Sequence, residues 1–562
     1  MTLRTPRRLA AAALALLLVA CNGPDASPPV APLASEVPGA NSSGQVAPRP
    51  AQVRVGFYAA SRFAEQASFG PTPALVAEIQ AKGFERWIDE QVALPPSQID
   101  LAPFLVNPVP PEDWERHQFA LSELGLTAGD QLRHRVAWAL MQFISIDSDW
   151  GDALGRVTFH NMMLRRSLDR FGELLYDVAT HPLTGEAFGV RMNRPRLPEV
   201  PNQGPNEHFA RVLLEQYVLG PELLRDDATP QRDARGRPLP SYTQRDVEDL
   251  TRVLMGWSFD PDYGGVARLP RDWGNWRKPM VASTFPGDRD FASKRLLGST
   301  LPEFQTAQED LRQAIDILTG HGNAAPYLAL RLIQSLVKSN PSADYLRRVA
   351  AVVRDNGRGV RGDMKAVVKA VLLDAEARAA DDPLRARPDD GRLREPYLNA
   401  MAFYRAMQCQ RFARNNNGNV IFPGHQRAFA SGARGSYPPD HRAAQSHLRA
   451  PEQRLLNAEE FSGNRQSIAT WLFRYDSAGR PDPAPGNAAG CNLSDLDRHA
   501  RSQSDYLRWI GERFFRGTLP AALRQNLEQL GRQTPWNASY ALNAPISLLN
   551  FSLMWPQWGV IE

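Results

Sequence analysis

Cysteine and lysine are both scarce in this chain. Three cysteines stand in 562 residues, and only 6 of the 65 basic residues are lysine. So few cysteines exclude a disulfide-dense scaffold and a cysteine-rich zinc cluster. HExxH, paired CxxC, a GK[ST] phosphate loop and a GxSxG elbow are all missing, which removes the familiar signatures of zincins, P-loop enzymes and α/β-hydrolases. The ten histidines are scattered, none four residues from another. No apolar run reaches the roughly 20 residues of a membrane-spanning helix. Strand-like alternation is almost absent. Charge of one sign is lacking too: of the formal +4, three units belong to Arg4, Arg7 and Arg8 at the start, leaving the rest near +1. That balance gives no electrostatic case for a nucleic-acid partner. The arginine excess is compatible with phosphate or carboxylate recognition, and equally with a GC-rich coding sequence.

What is present begins with MTLRTPRRLAAAALALLLVAC, residues 1–21. A basic start, an apolar stretch from Leu9 to Val19 and small residues before Cys21 read as a secretory signal. Leu18-Val19-Ala20-Cys21 resembles a lipoprotein cleavage box, so Cys21 is the expected lipidation site. The expected location is the cell envelope, held to a membrane by lipid. Asn22 in place of Asp favours the outer membrane over the inner. Residues 22–52 are rich in Pro, Ala and Ser without an apolar period, the composition of a disordered tether.

From residue 53 the pattern is helical. Residues 53–400 read as a helical core, and 401–562 as a loop-rich and helical part of the same domain. The predicted class is mainly α, a multi-helical globular domain with long irregular loops and little or no β-sheet. Short helices are expected over 61–95, broken at Gly70-Pro71 and Gly83. A helix is predicted from Thr127 to Ile146, opened by a Thr127/Asp130 box, and another from Phe159 to Ala179. Ser342 and Asp363 stand as N-caps before apolar-periodic runs, and further helices close the chain over 505–515, 520–531 and 539–555.

The candidate site lies between Gly204 and Trp257. Read as one helix, Glu207, Arg211 and Glu215 fall four apart on one face. A second helix starts at Thr243 with Asp246 three residues on, and carries Asp249 and Arg252 on its polar sides. Glu207, Arg211, Glu215, Asp246 and Arg252 are the candidate catalytic residues, two carboxylates held by arginine being able to serve as acid and base. The plainer reading is a buried ion-pair network, in which loss of Arg211 would cost about 3–5 kcal/mol. Trp273 and Trp276, in the irregular stretch 258–292, are candidate ligand-stacking residues, with pinning of the loop to the core as the alternative. No cofactor is evident. A divalent metal has no ligand set behind it beyond Asp440, His441 and His447 sharing a loop. Cys409 and Cys491 remain after the leader. They are compatible with two unpaired thiols or with one disulfide, and the disulfide is the pairing predicted for an exported chain.

Several blocks together resemble the bacterial family called domain of unknown function 1800. They include RFAEQASFGPT, DQLRHRVAWAL, GPNEHFARVLLEQYVLG, SYTQRDVEDLTRVLMGW, SKRLLG, the run from Asn340 to Arg378 and RAPEQRLLNAEE. The resemblance implies an exported, mostly helical protein of no established activity. It also implies a partner, because members are often encoded beside a second exported family of unknown function (number 1501) similar to sulfatases and alkaline phosphatases. Two departures stand out. A histidine expected just before SKRLLG is absent, with Asp288, Arg289 and Asp290 there instead, and the aromatic-rich stretch expected before RAPEQ reads AFASGARGSYPPDH. A histidine-dependent site would therefore be incomplete in this chain. The leading expectation is a non-catalytic scaffold or assembly partner of an exported hydrolase-like protein. The alternatives are a hydrolase, possible with metal help, built on the central acid and arginine cluster, and a polysaccharide- or peptide-binding module.

Overall fold

Capping side chains and Gly-Pro breaks fix where the helices of this chain begin. We describe a computed structural model over residues 54–105, 114–146, 153–196, 204–263, 274–387, 389–412, 438–443, 445–455, 491–533 and 544–561. The leader 1–21, the tether 22–52, Trp273 and most of the loop-rich stretch 415–490 lie outside the described residues. Helices α1 (Phe57–Ala67), α2 (Pro73–Lys82) and α3 (Phe84–Ala93) follow the predicted breaks. Thr72 Oγ1 accepts from Leu75 N at 3.1 Å with Pro73 in the first turn, where a missing N–H costs nothing. The α1–α2 turn needs Gly70, whose φ is +142° and where a Cβ would lie 2.6 Å from Ala402 Cα.

The region predicted as one helix from Thr127 divides differently. Helix α4 (Trp114–Thr127) ends at Thr127, and α5 (Gln131–Met141) starts afresh after Gly129. Asp130 precedes α5 without capping it, because its carboxylate is taken by Ser97 N (2.9 Å) and Ser97 Oγ (2.6 Å) and faces His134. The expected box fails because a residue 33 positions away competes for the acceptor. The expected helix Phe159–Ala179 is likewise two, α6 (Ala153–Arg166) and α7 (Phe171–Thr180), since Arg170 pairs with Asp363 in an isolated bridge.

Helix α8 (His208–Arg211) runs into a π-helical turn, Val212–Val218, and α9 (Gln244–Val253) follows. Then come α10 (Ala307–Gly320), α11 (Ala324–Leu336), α12 (Ala343–Arg354), α13 (Met364–Leu373) and α14 (Pro396–Ala406). Ser342 and Asp363 cap α12 and α13 as expected. Every residue of α5, α11 and α14 is buried, so these three form the centre against which the amphipathic helices pack. The chain closes with α15 (Gln503–Phe514), α16 (Ala521–Gln533) and α17 (Ala544–Leu553).

The sheets among the described residues are two-stranded: Trp257–Ser258 with Val281–Ala282, Lys294–Leu296 with Ser299–Leu301, and Arg392–Leu393 with Val560–Ile561, all antiparallel. The last pair ties the end of the chain to its middle. Beneath it, Glu65 Oε2 accepts from Arg516 at 2.7 and 3.0 Å, and Glu65 Oε1 meets Arg394 at 3.2 Å, all three side chains buried. Arg394 lies 4.4 Å over the Trp558 ring. From Arg54 onward the described residues form one compact unit. Cys409 and Cys491 are disulfide-bonded.

Candidate functional site

The segment opening at Gly204 is positioned by Asn206. Its backbone N–H donates to Asn193 Oδ1 (2.9 Å), its side chain donates to Phe188 O (3.1 Å), and its Oδ1 accepts from His208 N (2.9 Å). Helix α8 then starts normally, with Arg211 N bonded to Glu207 O at 3.1 Å. After one turn the backbone changes to i→i+5 bonding, and Leu219 N reaches Leu214 O at 2.9 Å. A π turn adds a residue per turn and leaves carbonyls that need other donors; such turns concentrate at functional sites. Here the donors come from α11. Tyr327 OH donates to Gln216 O (3.0 Å), and the buried Asn323 amide donates to Leu219 O (3.1 Å) and Glu222 O (2.7 Å). Gly220 ends the turn at φ +75°, with Tyr327 so close that a Cβ would sit 2.9 Å from its ring.

The extra residue per turn dissolves the predicted ladder. Arg211 still pairs with Glu207 at 2.8 Å and takes a second contact with Gln244 Oε1 at 2.5 Å, but Glu215 has rotated out of reach. Glu215 instead accepts the Tyr242 hydroxyl at 2.7 Å. Burial and that hydrogen bond push the Tyr242 phenol up to about 12. Nor is the pair buried: the Arg211 side chain is 44% exposed and Glu207 34%. The expectation of a buried network at these residues is corrected on both counts.

Asp246 and Arg252 have other tasks. Asp246 Oδ2 accepts from Thr243 N (2.8 Å) and Thr243 Oγ1 (2.6 Å), closing the capping box that the sequence indicated. Its Oδ1 accepts from Leu297 N at 2.6 Å. Arg252 binds Asp249 at 2.5 Å and Asp290 at 2.7 and 3.0 Å, and the bond from Arg252 holds the Asp290 carboxyl below its ordinary range. The polar side of α9 thus clamps the hairpin 294–301. Arg289, at the place of the missing histidine, is buried and donates to Asp310 at 2.7 Å, beside Lys294 at 2.9 Å. A structural ion triad occupies that position. Trp276 is 1% exposed and edges onto Phe259, so it pins the loop and is not available to stack on a ligand.

Beside the π turn lies a groove of about 440 Å³. Its floor is apolar, with Val212, Leu224 and Leu330. Arg211 and Glu215 line one side, and Tyr327 and Arg331 project from α11. Arg331 is 5% exposed and lies 5.2 Å over the Phe143 ring. The outer wall is the strap 438–455, which supplies Pro438, Pro439, Asp440 and Arg449. Three anchors hold the strap to α11 and the turn after it: Gln334 donates to Pro439 O (2.8 Å), Asn340 exchanges two bonds with the Arg449 backbone (2.8 and 2.9 Å), and Ser339 Oγ donates to Glu452 (2.7 Å). Glu452 is fully buried, and burial raises its pKa against the pull of Arg392. The Tyr327 phenol is also raised, chiefly by burial; Arg331 opposes this, and Glu215 and Asp440 add to it.

Sequence reasoning reached Arg211 and Glu215 of this groove, singled out Asp440 only as part of a weak metal set with His441 and His447, and missed Tyr327, Arg331 and Asn323. No local signal marks the π turn, and the walls arrive from positions more than a hundred residues away. Among the described residues, no cluster of three His, Cys, Asp or Glu side chains is placed to hold a metal ion, and no helix is long and apolar enough to cross a membrane. No curated protein and no solved structure matches this chain. One family model does, over residues 62–560, nearly the whole of the folded unit. The chain belongs to the family described as "Protein of unknown function (DUF1800)".

Proposed function

We propose that this protein is a lipid-anchored envelope protein that works by holding a partner, with the groove beside the π turn as the holding site. One observation carries this reading: the acids of the central cluster part to separate structural tasks while the groove remains open. Glu207 holds Arg211, Asp246 caps α9 and receives Leu297, and only Glu215 lines the groove. A concave, mainly apolar site with a few polar groups suits binding. The partner we favour is an exported sulfatase- or phosphatase-like protein, by the gene company that the family resemblance implies. Anchoring falls to Cys21, since several acyl chains at about 0.8 kcal/mol per buried CH₂ hold where one does not.

The experiment is affinity purification of the full-length chain from detergent-solubilised envelopes, wild type beside Pro230→Trp. Pro230 lines the groove and is half-buried, so the indole would fill the site without entering the core. The expected result is a hydrolase-like protein recovered with wild type and lost with the variant. Equal recovery of general lipoprotein-trafficking factors alone would overturn the reading. Cys21→Ala should release the protein from membranes or leave it unprocessed. A competing reading, hydrolysis, rests on Glu215 and Arg211 sharing the groove. It requires that Glu215→Gln abolish a measurable activity against sulfate or phosphate esters.

A further inference from the structure

Resting on the groove as the holding site, we infer that its occupant presents a cationic side chain, an arginine or lysine in an extended segment flanked by apolar residues. The argument comes from which charges in the groove are already committed. Arg211 is closed by Glu207 and Gln244. Arg331 is buried against Phe143. The carboxylates are freer. Asp440 and Glu222 line the groove and, among the described residues, their side chains make no hydrogen bond or ion pair, while Glu215 accepts a phenol hydroxyl. Against these three acids, with Arg211 held by Glu207, stand the buried Arg331 and also Arg449, whose backbone alone is engaged among the described residues. With Arg211 paired to Glu207, the groove keeps a small excess of negative charge above an apolar floor.

A long basic side chain matches both features. Its methylene stem covers Val212, Leu224 and Leu330 while its head stays among the carboxylates. Glu215 comes from the π turn and Asp440 from the strap, and both line the groove together with Tyr327. An acidic segment would find Arg449 and the buried Arg331, and would face three like charges. An uncharged one would leave the carboxylates desolvated without partners.

The test uses blocked pentapeptides with arginine, citrulline or glutamate fixed at the centre and apolar residues randomised around it, panned on the full-length protein in detergent. Citrulline keeps the shape of arginine and removes its charge. Arginine-centred peptides should be retained roughly fivefold over citrulline, the scale of one or two exposed ion pairs. The preference should shrink in Asp440→Asn and Glu215→Gln, and in 0.5 M salt as screening shortens to a few ångströms, roughly 4 Å. Among the described residues the Asp440 side chain makes no hydrogen bond or ion pair, so Asp440→Asn should melt close to wild type. Equal retention of arginine and citrulline peptides, lost in both cases with Pro230→Trp, would overturn the charge inference and leave the groove reading standing. Retention that ignores Pro230→Trp would overturn both. Preference for the glutamate series would overturn the inference outright.

Discussion

Replacing Arg211 by alanine separates two accounts of the central helix. Were Arg211 the clasp of a buried network, its loss would strand two carboxylates and cost about 3–5 kcal/mol. The structure gives it one carboxylate, Glu207, with both side chains a third or more exposed, and a contact to Gln244. Exposed pairs of this kind contribute about 0.2–1 kcal/mol. The folded unit has roughly 500 residues, and at about 2.1 cal/mol/K per residue its unfolding entropy is near 1 kcal/mol/K, so each kcal/mol moves Tm by about 1 °C. Arg211→Ala should therefore lower Tm by about 1 °C or less. Glu65→Ala is the internal standard, because it strands the buried Arg394 and Arg516 and should lower Tm by about 3–5 °C. Differential scanning calorimetry of both variants against wild type decides the matter. An Arg211→Ala loss equal to that of Glu65→Ala would refute the reasoning.

Three further outcomes are expected. His181 is fully buried, and desolvation first, then the Arg165 charge, lowers its pKa to about 3. A histidine depressed in the folded state contributes stability above its unfolded pKa of about 6.5, and that contribution is lost as pH falls toward 3, at up to about 1.4 kcal/mol per pH unit. His181→Asn keeps a cap acceptor for Leu183 N, and a urea midpoint series from pH 7 to 4 should show a shallower acid decline; an unchanged slope would refute the assignment. Gly220→Ala combines a left-handed backbone with a collision against Tyr327, for a cost of about 1–3 kcal/mol, and chemical denaturation showing no loss would count against the π-turn geometry. The disulfide between Cys409 and Cys491 spans a separation of 82 residues, so Cys409→Ser should destabilise by about 4.5 kcal/mol on the chain-entropy account, while alkylation of both thiols in the unreduced exported protein would show that the bond is absent.

Much of the fold was legible locally, because its determinants are local. Thr72, Thr243, Ser342 and Asp363 each offer an acceptor to N–H groups two or three residues on, and the helices start where they stand. Apolar periodicity gave the class, and scarcity of alternation gave the near absence of sheet. Family membership was readable from ordered blocks of sequence, and the match over residues 62–560 bears it out. The errors fall where a distant group took over a local one. Ser97 drew Asp130 away from the cap, and Arg170 found Asp363.

The site shows the same division. Residue spacing alone placed Glu207, Arg211 and Glu215 on one face, assuming 3.6 residues per turn. The backbone departs from that period because Tyr327 of α11 and Asn323 just before it supply hydrogen bonds to the carbonyls a π turn leaves open. Spacing cannot report those donors, since they sit about a hundred residues downstream and reach the turn only after α11 packs. The sequence by itself determined the helices, the caps and the kinds of charge near Gly204–Trp257. Tertiary packing decided the period of the central turn and which charges are committed. It also brought the strap 438–455 across to make a groove, because pairing and burial depend on distances that only the folded chain creates.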